Sequence, residues 1–416
     1  MDRERRGQVT LPAPSVIVLD GGLRLVHIHH PLAGAGILGV AVRAGSADER
    51  PAEAGLAHFV EHTIFKGTKK RSSWHIINRM EAVGGELNAF TTKEETVLYS
   101  IFPSGNAARA AELIADLAIN SQFPDKELEK ERQVVIDEIN SYRDTPSEAI
   151  FDEFEEYALA GSPLAHNILG TPDSVERLGS EECRGFLSRN YTRSNVVVFY
   201  SGPESPARIS RLVNRCFEAL PEGSSHTCVA AAPSPVFFDK EIRLDGHQTH
   251  TVVGAMTEGL YSPSRHAVSL FANIIGGPGM NSLLNIELRE RRGLVYSVEA
   301  STAMFSSCGL ITVYFGCDSY DSARCRRLCA DTFARVADGA ITPSRLAKAK
   351  KQYLGQFAIA SENRENRIMA AARSVLFRGE TSSADGMRAD ILAVSEADIA
   401  ELGRKMCSAS YLTYSN

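Results

Sequence analysis

The feature that most restricts the fold of this 416-residue chain is a repeated order of elements. Phe123-Pro-Asp-Lys-Glu-Leu128 and Ile341-Thr-Pro-Ser-Arg-Leu346 each open a long helical stretch with a proline in its first turn, and Leu128 and Leu346 hold matching places. The offset from Leu128 to Leu346 also carries Gly161 onto Gly379. Ahead of the first stretch, Leu23–Ile28 and Ile37–Val42 read as strands. They are followed by a short apolar helix and by a hairpin formed from Gly85–Thr92 and Thr96–Phe102. Ahead of the second, Glu241–Leu244 and Thr251–Ala255 read as strands, Ala267–Ile275 as an apolar helix and Gly309–Phe315 as a strand. Pro221–Pro235, rich in Pro, Ser, Gly and Ala, separates the two series as a linker. A chain this long exceeds one ordinary core. The expectation is a duplicated α+β unit: domain 1–220, linker 221–236, domain 237–416.

Composition narrows the class. Hydrophobic residues at 44% and charged residues at 23% are globular values, which exclude a disordered or fibrous chain. A net charge of −6 gives no reason to expect nucleic acid or an anionic membrane as partner. No run of about 18 apolar residues is present to span a bilayer. The N-terminal stretch MDRERRGQVTLPAPS holds no apolar run for a signal peptide, and Asp2 and Glu4 argue against an import presequence. A cytoplasmic location is expected. The eight cysteines include no CxxC pair, and none precedes Cys183. Cys325 and Cys329 share a helical spacing, but two soft ligands alone are a weak metal signal, and reduced thiols are the expected state.

Chemistry concentrates in Gly55-Leu-Ala-His-Phe-Val-Glu-His-Thr63. His58 and His62 are four apart and share a helix face, with Glu61 beside them. Either that face is wet and the histidines are ordinary surface groups, or something binds there. A second anomaly lies downstream. On the helix 124–142, Glu127, Glu131, Val134, Val135, Glu138 and Tyr142 fall in one narrow stripe, so Glu131 and Glu138 share an apolar face where unpaired carboxylates are out of place. Neither acid returns in the second half, where the offset puts Ala349 and Gln356. A divalent cation accounts for both anomalies. Two imidazoles and one carboxylate, with a fourth position left to water, form a common catalytic zinc arrangement, and Glu61 lies where it can accept a proton from that water.

The order His58-Phe-Val-Glu61-His62 is that of the inverzincins, and Glu138 follows it well downstream, on the second helix. Together with Phe65-Lys-Gly-Thr68, Gly84-Gly-Glu-Leu-Asn-Ala-Phe-Thr91, Glu131 and Arg289-Glu-Arg-Arg-Gly-Leu-Val-Tyr296, this set resembles the pitrilysin/insulinase family of zinc peptidases, particularly members related to mitochondrial processing peptidase. The resemblance spans most of the chain. It implies two α/β-sandwich domains, each a mostly antiparallel sheet packed with helices, facing each other as a clamshell. It implies one zinc ion per chain held by His58, His62 and Glu138, Glu61 as general base, and Glu131 as the group that orients a histidine. Arg289 and Tyr296, from the second half, would hold a substrate carbonyl and donate to the developing oxyanion. Asn88, Ala89 and Phe90, in the Gly84–Thr91 edge strand, would take up an extended peptide.

Two features depart from the family's pattern. Asn281-Ser-Leu-Leu284 lacks an arginine that follows the glycine-rich loop in many members, and Pro278 stiffens that loop, Gly276-Gly-Pro-Gly-Met280. The loop has neither the spacing nor the lysine of a phosphate-binding loop. Two functions follow from the resemblance: a zinc-dependent endopeptidase for peptides or short unfolded segments, or a non-catalytic subunit that captures substrate or supports assembly. Because the metal half and the Arg/Tyr half both lie in this chain, a homodimer enclosing a chamber is expected, with a heterodimer with a related chain as the alternative.

Overall fold

The computed structural model describes residues 12–223 and 232–416; residues 1–11, and residues 224–231 of the stretch read as a linker, lie outside the described residues. The strands are β1 (Ser15–Val18), β2 (Arg24–His29), β3 (Ala35–Val42), β4 (Glu86–Thr91), β5 (Thr96–Pro103), β6 (Val196–Gly202), β7 (Asp239–Arg243), β8 (Thr249–Thr257), β9 (Val295–Met304), β10 (Gly309–Cys317) and β11 (Ser410–Ser415). Among the described residues they form two sheets, β1-β2-β6-β3-β5-β4 and β7-β11-β8-β10-β9. Each has a single parallel pair there, β2 with β6 and β7 with β11, and the other pairings are antiparallel. The fold is α+β, with helices packed on both sheets, as the sequence leads one to expect.

The duplication is visible in the helices. Asp125–Arg143 and Pro343–Ala360 begin at the offset that separates Leu128 from Leu346, and so do the helices that follow them, Pro146–Ala158 and Arg364–Arg378. The last two are exchanged. Helix 364–378, from late in the chain, lies on the first sheet, where Ile368, Ala372 and Val375 meet Val26, Val197 and Phe199. Helix 146–158, from the first half, lies on the second sheet, where Ile150 and Phe154 meet Val252, Leu310 and Leu412. Strand alternation makes this possible. In β6, Val197 and Phe199 face the exchanged helix, while Val196, Val198 and Tyr200 face the larger core on the opposite side. Polar contacts fasten the exchange: Tyr99 Oη donates to Glu365 (2.7 Å), and Arg373 pairs with Glu95 (3.2 Å).

Candidate metal centre

Helix Leu56–Thr63 carries the histidines. Leu56, Phe59, Val60 and Thr63, spaced i, i+3, i+4 and i+7, bury one face in the first core and turn His58, Glu61 and His62 the other way. The helix packs against helix 125–143 and against β4. Across the first of these contacts, His62 Nε2 lies 3.3 Å and His58 Nε2 3.7 Å from Glu138 Oε2. The imidazole rings meet edge to face with centroids 4.6 Å apart. One donor atom from each of His58, His62 and Glu138 lies within 4.8 Å of the other two, and this is the one such cluster of three His, Cys, Asp or Glu side chains among the described residues. The donor set fits a divalent cation with nitrogen and oxygen preference. Burial, with His62 beside it, pushes the His58 imidazole down to about 3, so it stands neutral with a lone pair free for a metal.

Glu131 lies one step further out. Its Oε2 is 3.6 Å from His62 Nδ1, and its Oε1 accepts from Lys66 Nζ at 2.6 Å. His58 Nδ1 is buried with no hydrogen-bond partner. Burial raises the Glu61 carboxyl above the ordinary range; Thr91 and His62 pull the other way, and Glu138 adds to the rise. Thr91 ends β4, so Glu61 stands beside the end of that strand. Among the described residues β4 is an edge, paired only with β5, and no strand lies along its outer side, where the Thr91 N–H at its end meets Glu61. Along it, Leu87 and Ala89 pack on the first core, while Phe90 is exposed, with Asn88 on the same face as Phe90.

One sequence expectation needs restating. The buried face of helix 125–143 is formed by Leu128, Val135 and Ile139. The carboxylate stripe sits about 80° round from it, with Val134 exposed and the Glu138 side chain 41% exposed. The acids therefore flank the buried face instead of pointing into the core, Glu131 being the more covered of the two. Neither Arg289 nor Tyr296 forms a hydrogen bond or ion pair with His58, Glu61, His62, Glu131 or Glu138 among the described residues. Arg289, in the short π-type helix Asn285–Glu290, has Glu290 as its ion-pair partner among the described residues (3.9 Å), and Tyr296, on the edge strand β9, is 84% exposed. Sequence reasoning passes over Lys66, although it follows His62 at helical spacing, and Tyr191, a fully buried phenol that burial, with Glu61 nearby, pushes upward. Cys325 and Cys329 are core residues of the second half.

Residues 24–172 match the model of the insulinase family, peptidase family M16, and residues 177–353 that of the peptidase M16 inactive domain. The chain belongs to peptidase family M16. An uncharacterized zinc protease of Streptomyces coelicolor is 31% identical over 93% of this chain and 85% of its own length. One from Mycobacterium tuberculosis is 32% identical over 96% and 92%. A crystal structure of the peptidase M16 inactive domain from Pseudomonas fluorescens superposes with a TM-score of 0.89 at 20% identity, covering 97% of this chain and 98% of that one. The M16 fold and the naming of these relatives as zinc proteases agree with the donor set. No helix among the described residues is long and apolar enough to cross a membrane.

Proposed function

We propose that this M16 chain is a zinc-dependent endopeptidase that hydrolyses peptides or short unfolded segments. The observation that carries the reading is the convergence of His58, His62 and Glu138 beside Glu61 and next to a free sheet edge. The two imidazoles and Glu138 would hold the ion, and Glu131, tied to Lys66, would keep the His62 ring in register. Zinc, when bound, supplies Lewis-acid polarisation of a substrate carbonyl and of water. Glu61 accepts the proton of the attacking water on its carboxylate and passes it to the leaving amine. β4 takes the substrate as an added strand, with Asn88, Ala89 and Phe90 along the scissile region. Tyr296 would donate to the oxyanion and Arg289 would hold a neighbouring carbonyl once the halves close on substrate. A dimer, of two such chains or with a related one, would enclose the site.

The test is zinc content and digestion of an unbiased peptide library, before and after chelation. One zinc per chain and cleavage that chelation abolishes are expected. Glu61→Gln should keep the zinc and lower turnover by about 10²–10⁴-fold, the usual worth of a general base. A zinc-loaded chain that cuts no peptide would instead mark a substrate-capture or assembly subunit.

A further inference from the structure

The first turn of the histidine helix is held by a residue outside it. Glu49, its side chain 1% exposed, accepts from the backbone N–H of Ala57 through Oε1 (2.7 Å) and from that of Gly55 through Oε2 (3.0 Å). Those are orphan donors at a helix N-terminus, where a negative charge is also favoured by the helix dipole. The same Oε2 lies 3.1 Å from His166 Nε2. Burial raises the Glu49 carboxyl, and His166 with the two N–H groups draws it back. The helix start is also pressed directly onto the segment after His166. Gly55 has φ +89°, and a Cβ there would come within 2.7 Å of Leu169 O; Gly170, at φ +72°, is equally closed by Ala54 O at 2.6 Å.

That segment is fixed in turn to the exchanged helix 146–158. Lys93, 5% exposed, donates through Nζ to His166 O (3.1 Å) and pairs with Glu155 (3.2 Å). Asn167 Nδ2 donates to Asp152 Oδ2 (2.9 Å), and Asn167 Oδ1 accepts from Leu169 N (2.8 Å). Asp152 and Glu155 lie on helix 146–158. Helix 125–143, with Glu138, runs into that same helix through Asp144 and Thr145. The two helices that bring the cluster together thus share one reference: Glu138 reaches it through the chain, and His58, Glu61 and His62 reach it through Glu49.

We infer that Glu49, braced by His166, is a positioning residue that fixes the His58/Glu61/His62 face against Glu138 by tying the histidine helix to helix 146–158 and so to the second sheet. The inference rests on the zinc-peptidase reading for its activity readout but not for its structural one. In metal-free protein, Glu49→Ala should speed amide hydrogen exchange through residues 55–63. In the holoenzyme it should weaken zinc binding, measured by chelator competition, by about 10–100-fold, and lower kcat with little change in KM, since the β4 edge is untouched. Glu49→Gln, which keeps one acceptor, should recover part of both. His166→Ala, at a side chain 31% exposed, should act in the same direction and less, and serves if Glu49→Ala does not fold. Ser395→Ala removes an ordinary cap, the Oγ that accepts from Asp398 N (3.2 Å), and should leave zinc affinity unchanged. Unchanged exchange across 58–63 in Glu49→Ala, or in His166→Ala should the first not fold, would overturn the inference whatever the metal does. Wild-type zinc affinity and kcat in the same variant, or an equal loss in Ser395→Ala, would overturn it too. Failure of wild-type protein to bind zinc would sink the zinc reading and leave the exchange result to decide Glu49.

Discussion

The two halves set the same helix pair against the same kind of edge strand and fill the contact with different chemistry. In the first, helix 56–63 meets helix 125–143 beside β4, and the facing side chains are His58, His62, Glu131 and Glu138. In the second, helix Arg265–Gly276 meets helix 343–360 beside β9, and Asn273 Nδ2 donates to Gln356 Oε1 at 2.8 Å. Asn281 and Gln352 add another amide pair at 2.8 Å. An amide carries both donor and acceptor, so two amides can bond each other with no charge left over, and Asn281 and Gln352 do so in both directions. The histidine–carboxylate set is different: an imidazole offers a ring lone pair and a carboxylate only accepts, so their donor atoms can converge on a cation. The frame is common to both halves, and the capacity for a metal lies in residue type alone.

The strongest way to break that contrast is to make the first half like the second. Glu138→Gln puts there the residue that stands at 356. Zinc binding should fall by more than the loss of an outer partner would cause, and peptide cleavage should vanish with it, as judged by zinc content after gel filtration and by single-turnover assays. Glu131→Gln tests the outer partner itself. It removes a charge from beside His62 Nδ1 and frees Lys66, so affinity should drop by about 10–100-fold while zinc remains bindable at higher concentration. If Glu131→Gln emptied the site and Glu138→Gln did not, the assignment of ligand and supporter would be reversed. In the second half the matching change should be felt only in stability. Gln356→Ala leaves the Asn273 amide short of a partner and should cost about 1 kcal/mol in urea unfolding, with turnover unchanged.

Which parts of this are legible in the sequence follows from the range over which each signal acts. The His-x-x-Glu-His face and the repeated helix starts are local, so spacing alone exposes them. Strand positions follow from apolar runs, as in β3 and β5. The exchange of helices 146–158 and 364–378 leaves no such mark: an amphipathic pattern says that Ile150 and Phe154 are buried, not which sheet buries them. The face of helix 125–143 is easily misjudged, because a stripe containing Val134, Val135 and Tyr142 looks apolar until Leu128 and Ile139 are seen to form the buried side. Glu49 caps a helix from well upstream of Gly55 and Ala57, outside the one-turn reach of the usual N-terminal signatures. Arg289 and Tyr296 are placed by resemblance alone, because no local pattern says which residues of the second half face the histidines.

A last contrast separates the halves by pH. His27, in β2, is buried against Tyr200, with Nε2 3.0 Å from Glu204 O and Nδ1 without a partner; the matching parallel strand of the second sheet, β7, is Asp-Lys-Glu-Ile-Arg and carries no histidine. Burial pushes His27 from the ordinary 6.5 down to about 4, against the pull of the Glu204 carbonyl, with His29 and His30 adding to the fall. The sign follows from proton counts. Above about 6.5 the ring is neutral in both folded and unfolded chains and contributes no pH dependence. Between 6.5 and about 4 the unfolded chain binds the proton and the folded chain does not, so stability falls as pH falls, and below that window the loss is complete. His27→Gln keeps a donor for Glu204 O and removes the titration. The drop in urea midpoint between neutral and mildly acidic pH, measured on chelated protein so that the metal site contributes equally to both chains, should therefore be smaller in His27→Gln than in the wild type. An identical drop in the two would show that the first sheet owes its acid response to other groups, such as His30 beside Arg364 and Arg367 on the exchanged helix.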